Sequence, residues 1–139
     1  MPELTDSQKH LVQASFRTLA ADFDITAAIF YGHLFTQDPT LPGLFHTDME
    51  SQGRKLMETL AVLVNGLDDL PALIGPIQVL AQHHLGYGVR REHFRMAEAS
   101  LLHTLVQVLG DAYTDDIGAS WQATYRIVES VIVDSAYAD

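Results

Sequence analysis

Hydrophobic residues recur at helical spacing along nearly the whole chain. Near the start, Thr5 and Gln8 form a capping-box pattern, in which each residue satisfies a backbone N–H group of the other. The apolar residues that follow are Leu11, Val12, Phe16 and Leu19. Intervals of three or four residues place side chains on one face of an α-helix. The pattern therefore predicts a first helix beginning at Thr5.

Two more helices are predicted in the first half of the chain. A nearly continuous apolar run begins near Asp22 and ends at Asp38-Pro39, because a proline drives the preceding residue away from helical angles. A helix that is apolar almost all round is expected to be buried on most sides. The following helix is predicted to end near Asn65-Gly66, a usual helix C-terminus. Its apolar stripe comprises Leu56, Leu60, Leu63 and Leu67.

The second half of the chain continues the helical pattern. Pro76 suits the first turn of a helix that runs to His84. The next stripe ends at Gly110 and comprises Phe94, Ala97, Leu101, Leu105 and Val108. The last stripe comprises Ile117, Trp121, Tyr125, Val128 and Ile132. Strand-like alternation with hairpin dipeptides is missing from the sequence, so we predict an all-α fold in one domain, residues 1–139, with six to eight helices.

Charge and cysteine content exclude several classes of function. Eight basic residues against eighteen acidic ones give a net charge of −10, which argues against nucleic acid and against a polybasic membrane-surface helix. No apolar run approaches the ~20 residues of a membrane span. Cysteine is absent from the sequence, which excludes disulfides and thiolate metal sites. The N-terminus lacks a basic region followed by an apolar core, so we expect no secretory signal and a cytoplasmic protein.

Three polar residues interrupt apolar stripes that should face the core. His84 continues the apolar face of its helix, Gln52 lies one turn before Leu56, and Tyr31 lies one turn before Phe35. A buried polar group without a partner costs a few kcal/mol, so each needs a hydrogen bond. One interpretation is that each bonds to a backbone carbonyl or a neighbour in a packed core. The other is a shared internal ligand, because a neutral imidazole is a good axial ligand for iron and tyrosine and glutamine can donate opposite it.

Around these residues the sequence resembles the globin domain of flavohaemoglobins and the single-domain bacterial haemoglobins. HLGYGVRREHF, residues 84–94, resembles the proximal histidine, the valine under the haem and the start of the next helix. In FYGHLFTQDPTLPGLF, Tyr31 precedes Pro39 by eight positions and Phe45 follows it by six, as in the family's second helix and corner. QGRKL and GDAYTDDIGASW resemble the distal helix and the turn into the last helix. The resemblance covers nearly the whole chain.

The resemblance implies a globin fold around a pocket for haem b. His84 would bind the iron, while Phe45 and Val89 would clamp the porphyrin. Tyr31 and Gln52 would hold a gas ligand on the opposite side by hydrogen bonds. The remaining residues expected to contact the haem are Lys55, Leu56, Leu60, Leu80 and Phe94.

Two departures from the flavohaemoglobin pattern affect these expectations. The segment between Phe45 and Gln52 is shorter than in that family, and counting from Phe45 would place Lys55 at the distal position. The apolar face shared with Leu56 favours Gln52, which leaves Lys55 to reach a haem propionate or, alternatively, the iron.

The second departure concerns the support of the proximal histidine. Flavohaemoglobins hold it with a tyrosine and a glutamate, whereas the matching positions here read Phe94 and Ala136. We therefore expect that hydrogen-bonded network to be absent and His84 to bond to the backbone carbonyl of Leu80.

The expected function is tight binding of O2, with NO and CO as further ligands. Nitric oxide dioxygenase activity would need a separate electron-donating reductase, because the globin pattern uses all 139 residues. The negative charge predicts that such a donor docks through a basic face. The alternatives are a haem-based gas or redox sensor and a haem-free globin-like interaction module. The sequence leaves monomer and homodimer open.

Overall fold

The computed structural model of the protein describes residues 4–44, 48–86 and 90–136, with side chains outside 82–86, 91 and 135–136. Within these ranges the chain forms six α-helices and no strand, which confirms the predicted all-α fold. The helices are α1 (Asp6–Ala21), α2 (Phe23–Gln37), α3 (Met49–Asn65), α4 (Leu70–Gly86), α5 (Arg91–Leu109) and α6 (Asp115–Ala136). Short 3-10 turns lie at Leu41–Leu44, Leu67–Asp69 and Gly110–Ala112.

Local sequence signals set several helix ends as predicted. The Thr5 N–H donates to Oε1 of Gln8 at 2.9 Å, and the Gln8 N–H donates to Oγ1 of Thr5 at 3.1 Å, so the capping box is formed. Helix α2 ends one residue before Asp38, which is followed by proline. Helix α5 ends at Gly110, whose φ of 54° lies in the region where glycine is favoured.

The prediction that α2 is buried on most sides is wrong at its N-terminal end. Phe23 and Ile25 are 38% and 56% exposed, whereas Phe30 and Leu34 are buried. Helix α2 packs against α3 and α5, but Phe23 and Ile25 in its first turn face solvent. An apolar run does not show where along a helix its neighbours cross it.

The predicted start of α4 at Pro76 is also wrong. The helix begins at Leu70, with Pro71 in its first turn, and Pro76 lies inside it. A proline inside a helix removes the hydrogen bond to the carbonyl four residues earlier, here that of Ala72. Because Ala72 is exposed on the first turns of α4, water can satisfy that carbonyl.

Helix–helix packing encloses the core and leaves space within it. Helix α6 packs against α1 and α4, and α2 packs against α3 and α5. At the α1–α6 contact the buried Trp121 Nε1–H donates to Oγ of Ser15 at 2.8 Å. At the α2–α3 crossing a Cβ added to Gly53 would lie 2.9 Å from Cβ of Ala27, so only glycine permits this close approach. Among the described residues, no helix is long and apolar enough to cross a membrane.

Candidate functional site

A cavity of about 760 Å³ lies inside the bundle, with walls from α2, α3, α4, α5 and α6. Ligand and cofactor pockets are typically roughly 300–1,000 Å³, so this one has cofactor size. Most of its lining is apolar. The wall includes all of the apolar residues that were expected to contact the haem and whose side chains the structure describes. These are Leu56, Leu60, Leu80 and Phe94.

Tyr31 on α2 carries a hydroxyl group into this cavity. Its Oη donates to the backbone carbonyl of Gln52 on α3 at 3.4 Å, a long hydrogen bond for a hydroxyl donor. The rings of Phe30 and Phe35 pack against the ring of Tyr31, at centroid distances of 5.2 and 5.7 Å, and restrict its movement. Burial raises the pKa of Tyr31 to about 12, so the phenol keeps its proton at neutral pH. Tyr31 is therefore a fixed hydrogen-bond donor at the cavity wall.

Gln52 and Lys55 on α3, the two candidates for the distal residue, both line the cavity but differ in their exposure to solvent. Gln52 is 6% exposed and lies in the interior wall. Lys55 also lines the cavity, but it is exposed to solvent. The arrangement puts the amide inside and the ammonium at the rim, where its charge stays hydrated.

Leu80 on α4 lines the cavity, and position 84 lies about one helical turn beyond it. The helix backbone is continuous to Gly86, and position 84 shares a helical face with Ile77 and Ala81, which are 3% and 0% exposed. The side chain of His84 lies outside the described residues, as do Phe45 and Val89 entirely. Their predicted contacts stay predictions.

His93 on α5 lines the cavity, which the sequence reasoning did not anticipate. The ring is 8% exposed, and its Nδ1 accepts a hydrogen bond from the backbone N–H of Arg90 at 2.9 Å. With Nδ1 accepting, the neutral ring carries its proton on Nε2 and acts there as a donor rather than as a metal ligand. The spacing of three residues from Arg90 suggests a helix cap, but it does not show that the ring also faces a cavity.

Helix α6 adds further polar residues to the wall that were likewise missed, among them Thr124, Tyr125 and Glu129. Tyr125 donates from Oη to the backbone carbonyl of Phe94 at 2.5 Å, and burial raises its pKa well above the usual range. The Glu129 side chain is 12% exposed and pairs with Nη1 of Arg95 at 3.0 Å. Tyr125 lies on the predicted apolar stripe of this helix, so periodicity placed it inward without identifying what it faces.

Comparison with known proteins places this architecture in a family. The family model for globins matches residues 28–132. A neuroglobin of Dissostichus mawsoni is 30% identical over 142 residues, covering 92% of this chain and 89% of that protein. A flavohemoprotein of Vibrio cholerae is 25% identical over 134 residues, covering 94% of this chain and 34% of that protein. The chain thus spans about a third of the length of the flavohemoproteins that it matches.

A solved structure agrees with these sequence matches. It is an engineered carbene transferase from Rhodothermus marinus, whose description names a nitric oxide dioxygenase. It superposes with a TM-score of 0.84 at 26% identity, covering 96% of this chain and 94% of that one. Since the family model spans most of the chain and the helices enclose a cavity of cofactor size, the chain belongs to the globin family, and it is a haem globin related to the globin domains of flavohemoproteins.

Proposed function

We propose that this globin binds haem b in the cavity, holds O2 tightly beside Tyr31, and oxidises nitric oxide to nitrate with electrons from a separate reductase. The observation that carries the proposal is the partly buried phenol of Tyr31, a donor that keeps its proton at neutral pH, in the wall of an apolar cavity. NO and CO would bind at the same position as O2.

The residues of the cavity fit a haem. Most of the wall is apolar, as a porphyrin face requires, and the exposed Lys55 at the rim suits a propionate. A haem bound here would supply an iron atom that can bind an imidazole nitrogen and a diatomic gas. His84 is the proposed imidazole, because position 84 is in helical register with the buried Ile77 and Ala81, whereas Nδ1 of His93 already accepts a backbone hydrogen bond. Phe45 and Val89 are proposed to pack on the porphyrin.

Tyr31 is proposed to hold O2 by donating its hydroxyl hydrogen. A hydrogen bond to a charged acceptor contributes about 1.5–3 kcal/mol, so such a donor favours slow release of O2 when the ligand carries negative charge. Gln52 lies next to it in the same wall and is proposed to orient the hydroxyl or to donate a second bond. Tight retention suits scavenging or reaction better than bulk transport.

Similarity to known proteins supports the dioxygenase part of the proposal, and the charge of the chain supports the kind of electron donor. The chain is similar to flavohemoproteins and to the Rhodothermus marinus protein whose description names that activity. Repeated turnover requires re-reduction, and the acidic chain, with its net charge of −10, suits a donor with a basic docking face. Reduction by such a donor should slow as salt is added, because ions screen the attraction.

The experiment compares His84→Ala with His93→Ala, two removals of an imidazole from the same region. After haem addition, His93→Ala should keep the Soret band and the spectra of the ferrous, O2-bound and CO-bound forms. His84→Ala should lose the band or bind haem far more weakly. A normal spectrum for His84→Ala would overturn the ligand assignment, and no Soret band in the unaltered protein would overturn haem binding itself.

The reaction is tested separately by NO consumption. The reduced, O2-saturated protein should convert added NO to nitrate in one turnover, and a reductant should restore further turnovers. Nitrate formation no faster than in protein-free buffer would refute the dioxygenase proposal and leave O2 binding intact.

A further inference from the structure

Glu129 lies in the cavity wall and is shared by two hollows. Its side chain lines the interior cavity, and it also lines a second hollow of about 500 Å³ on the outer side. Arg95, Arg126 and Asp134 line the outer hollow. With the Glu129 side chain only 12% exposed, a carboxylate is held between the solvent-facing hollow and the space that the haem would fill.

The positive partner of Glu129 neutralises it incompletely. Nη1 of Arg95 lies 3.0 Å from Oε2 of Glu129 and 3.2 Å from Oε2 of Glu98, while Glu98 is also paired with Arg126, whose Nη2 donates to its Oε1 at 2.9 Å. Arg95 itself does not line the cavity. The Arg95 side chain is 51% exposed, so water screens its charge, whereas the two carboxylates are mostly buried. A negative field from Glu129 is therefore left on the cavity side.

Neighbouring contacts on α6 fix the position of Glu129, whose own ion pair is with Arg95 on α5. Tyr125, one turn earlier, and Val128 pack against the buried cluster that contains Ile77 and Ala81 of α4. The hydrogen bond from Tyr125 to the Phe94 carbonyl fixes this part of α6 against the start of α5. Glu129 thus occupies a defined position, with its helix anchored on both sides.

We propose that Glu129 lowers the reduction potential of the haem by placing a partly neutralised carboxylate in the cavity wall, and that Arg95 limits the effect. Oxidised haem carries one more positive charge than reduced haem, so a nearby negative charge favours the oxidised form. The interaction is expected to be stronger inside the bundle than in water, because the effective dielectric constant there is lower. The proposal rests on haem binding in this cavity.

The test measures midpoint potentials by spectroelectrochemistry in haem-loaded protein. Glu129→Gln removes the charge and retains an oxygen that can accept from Arg95. At a fixed potential it should raise the ferrous-to-ferric ratio about tenfold, which is about 59 mV for a one-electron couple. Glu98→Gln is the matched control, because it makes the same charge change in the same arginine network but Glu98 does not line the cavity. Its effect on the ratio should be several-fold smaller.

Arg95→Gln supplies a test of opposite sign. Removing the cation exposes the cavity to the full charge of Glu129, so the ferrous-to-ferric ratio should fall. Equal shifts in Glu129→Gln and Glu98→Gln, or a rise in Arg95→Gln, would overturn the proposal. If Glu129→Gln does not fold, the sign of the Arg95→Gln shift still decides. An unshifted potential in protein with an intact Soret band would refute the role of Glu129 while leaving haem binding and the function of Tyr31 untouched.

Discussion

Replacing Tyr31 with phenylalanine tests the proposed oxygen site directly. The change removes one hydroxyl group and keeps the ring, so the contacts with Phe30 and Phe35 persist. The hydroxyl gives up its 3.4 Å hydrogen bond to the Gln52 carbonyl. We therefore expect Tyr31→Phe to fold with nearly unchanged stability, which thermal melting of the apo-protein would check.

The structure sets the size of the expected effect on O2 release. A bond from the phenol to charged oxygen contributes about 1.5–3 kcal/mol, and the long bond that it replaces contributes about 0.5 kcal/mol, the low end for a neutral pair. The net loss of about 1–2.5 kcal/mol corresponds to O2 dissociation that is about fivefold to seventyfold faster. The phenol stays protonated throughout the neutral range because its pKa is about 12, so the effect should not depend on pH between 6 and 9.

Stopped-flow displacement of O2 by CO measures the dissociation rate. Tyr113→Phe is the control, since Tyr113 lies outside the cavity wall and loses the same hydroxyl group. An O2 dissociation rate in Tyr31→Phe within twofold of that of the unaltered protein would refute the donor role. A rate that rises equally in the control would show that the effect is not local.

Two further predictions concern stability. Gly53→Ala should lower the free energy of unfolding by about 1–3 kcal/mol, because the new Cβ would lie 2.9 Å from Cβ of Ala27. Gly32→Ala is the control: nothing lies within 4 Å of its Cβ, so the change should raise the free energy of unfolding by about 0.5–1 kcal/mol. Urea melts that give the same sign for both variants would contradict this prediction. The pKa of His33 is lowered by loss of solvent and by the stacked His103 ring, whose centroid lies 4.2 Å away. The unfolded chain therefore binds a proton at His33 more readily than the folded chain does. The contribution of His33 to stability is complete above its unfolded pKa of about 6.5 and is lost as the pH falls through its lower pKa in the folded protein. Urea melts between pH 7.5 and 5 should show this loss, and His103→Asn should reduce it; an equal loss in that variant would count against the pair.

Helix ends were predictable where the signal is local. The Thr5 capping box, the proline after Asp38 and the glycine at 110 each act through backbone geometry within a few residues. Pro76 misled the prediction because its cost depends on whether the carbonyl of Ala72 can reach water, which is a tertiary property. Proline is common in the first turn of a helix, and for this reason the start of α4 was predicted at Pro76 instead of at Leu70.

The site was predictable to the extent that a polar residue interrupts an apolar stripe. Tyr31 and Gln52 stand out in this way, and both line the cavity. His93 and Glu129 do not stand out, because a histidine near a helix start and a glutamate on the last helix look like ordinary capping and surface residues. Which polar side chains share a wall depends on how α5 and α6 cross, and one sequence does not contain that information in readable form.

The hydrogen bond between Trp121 and Ser15 has a consequence for the enclosure of the cavity. It joins residues 106 positions apart, and bringing them together costs loop entropy that contacts within one helix avoid. Helix α1 draws most of its stability from packing against other helices, α6 among them, rather than from its own length. Because α6 also forms a wall of the cavity, the contact that holds the first helix to the last involves the same helix that encloses the space for haem.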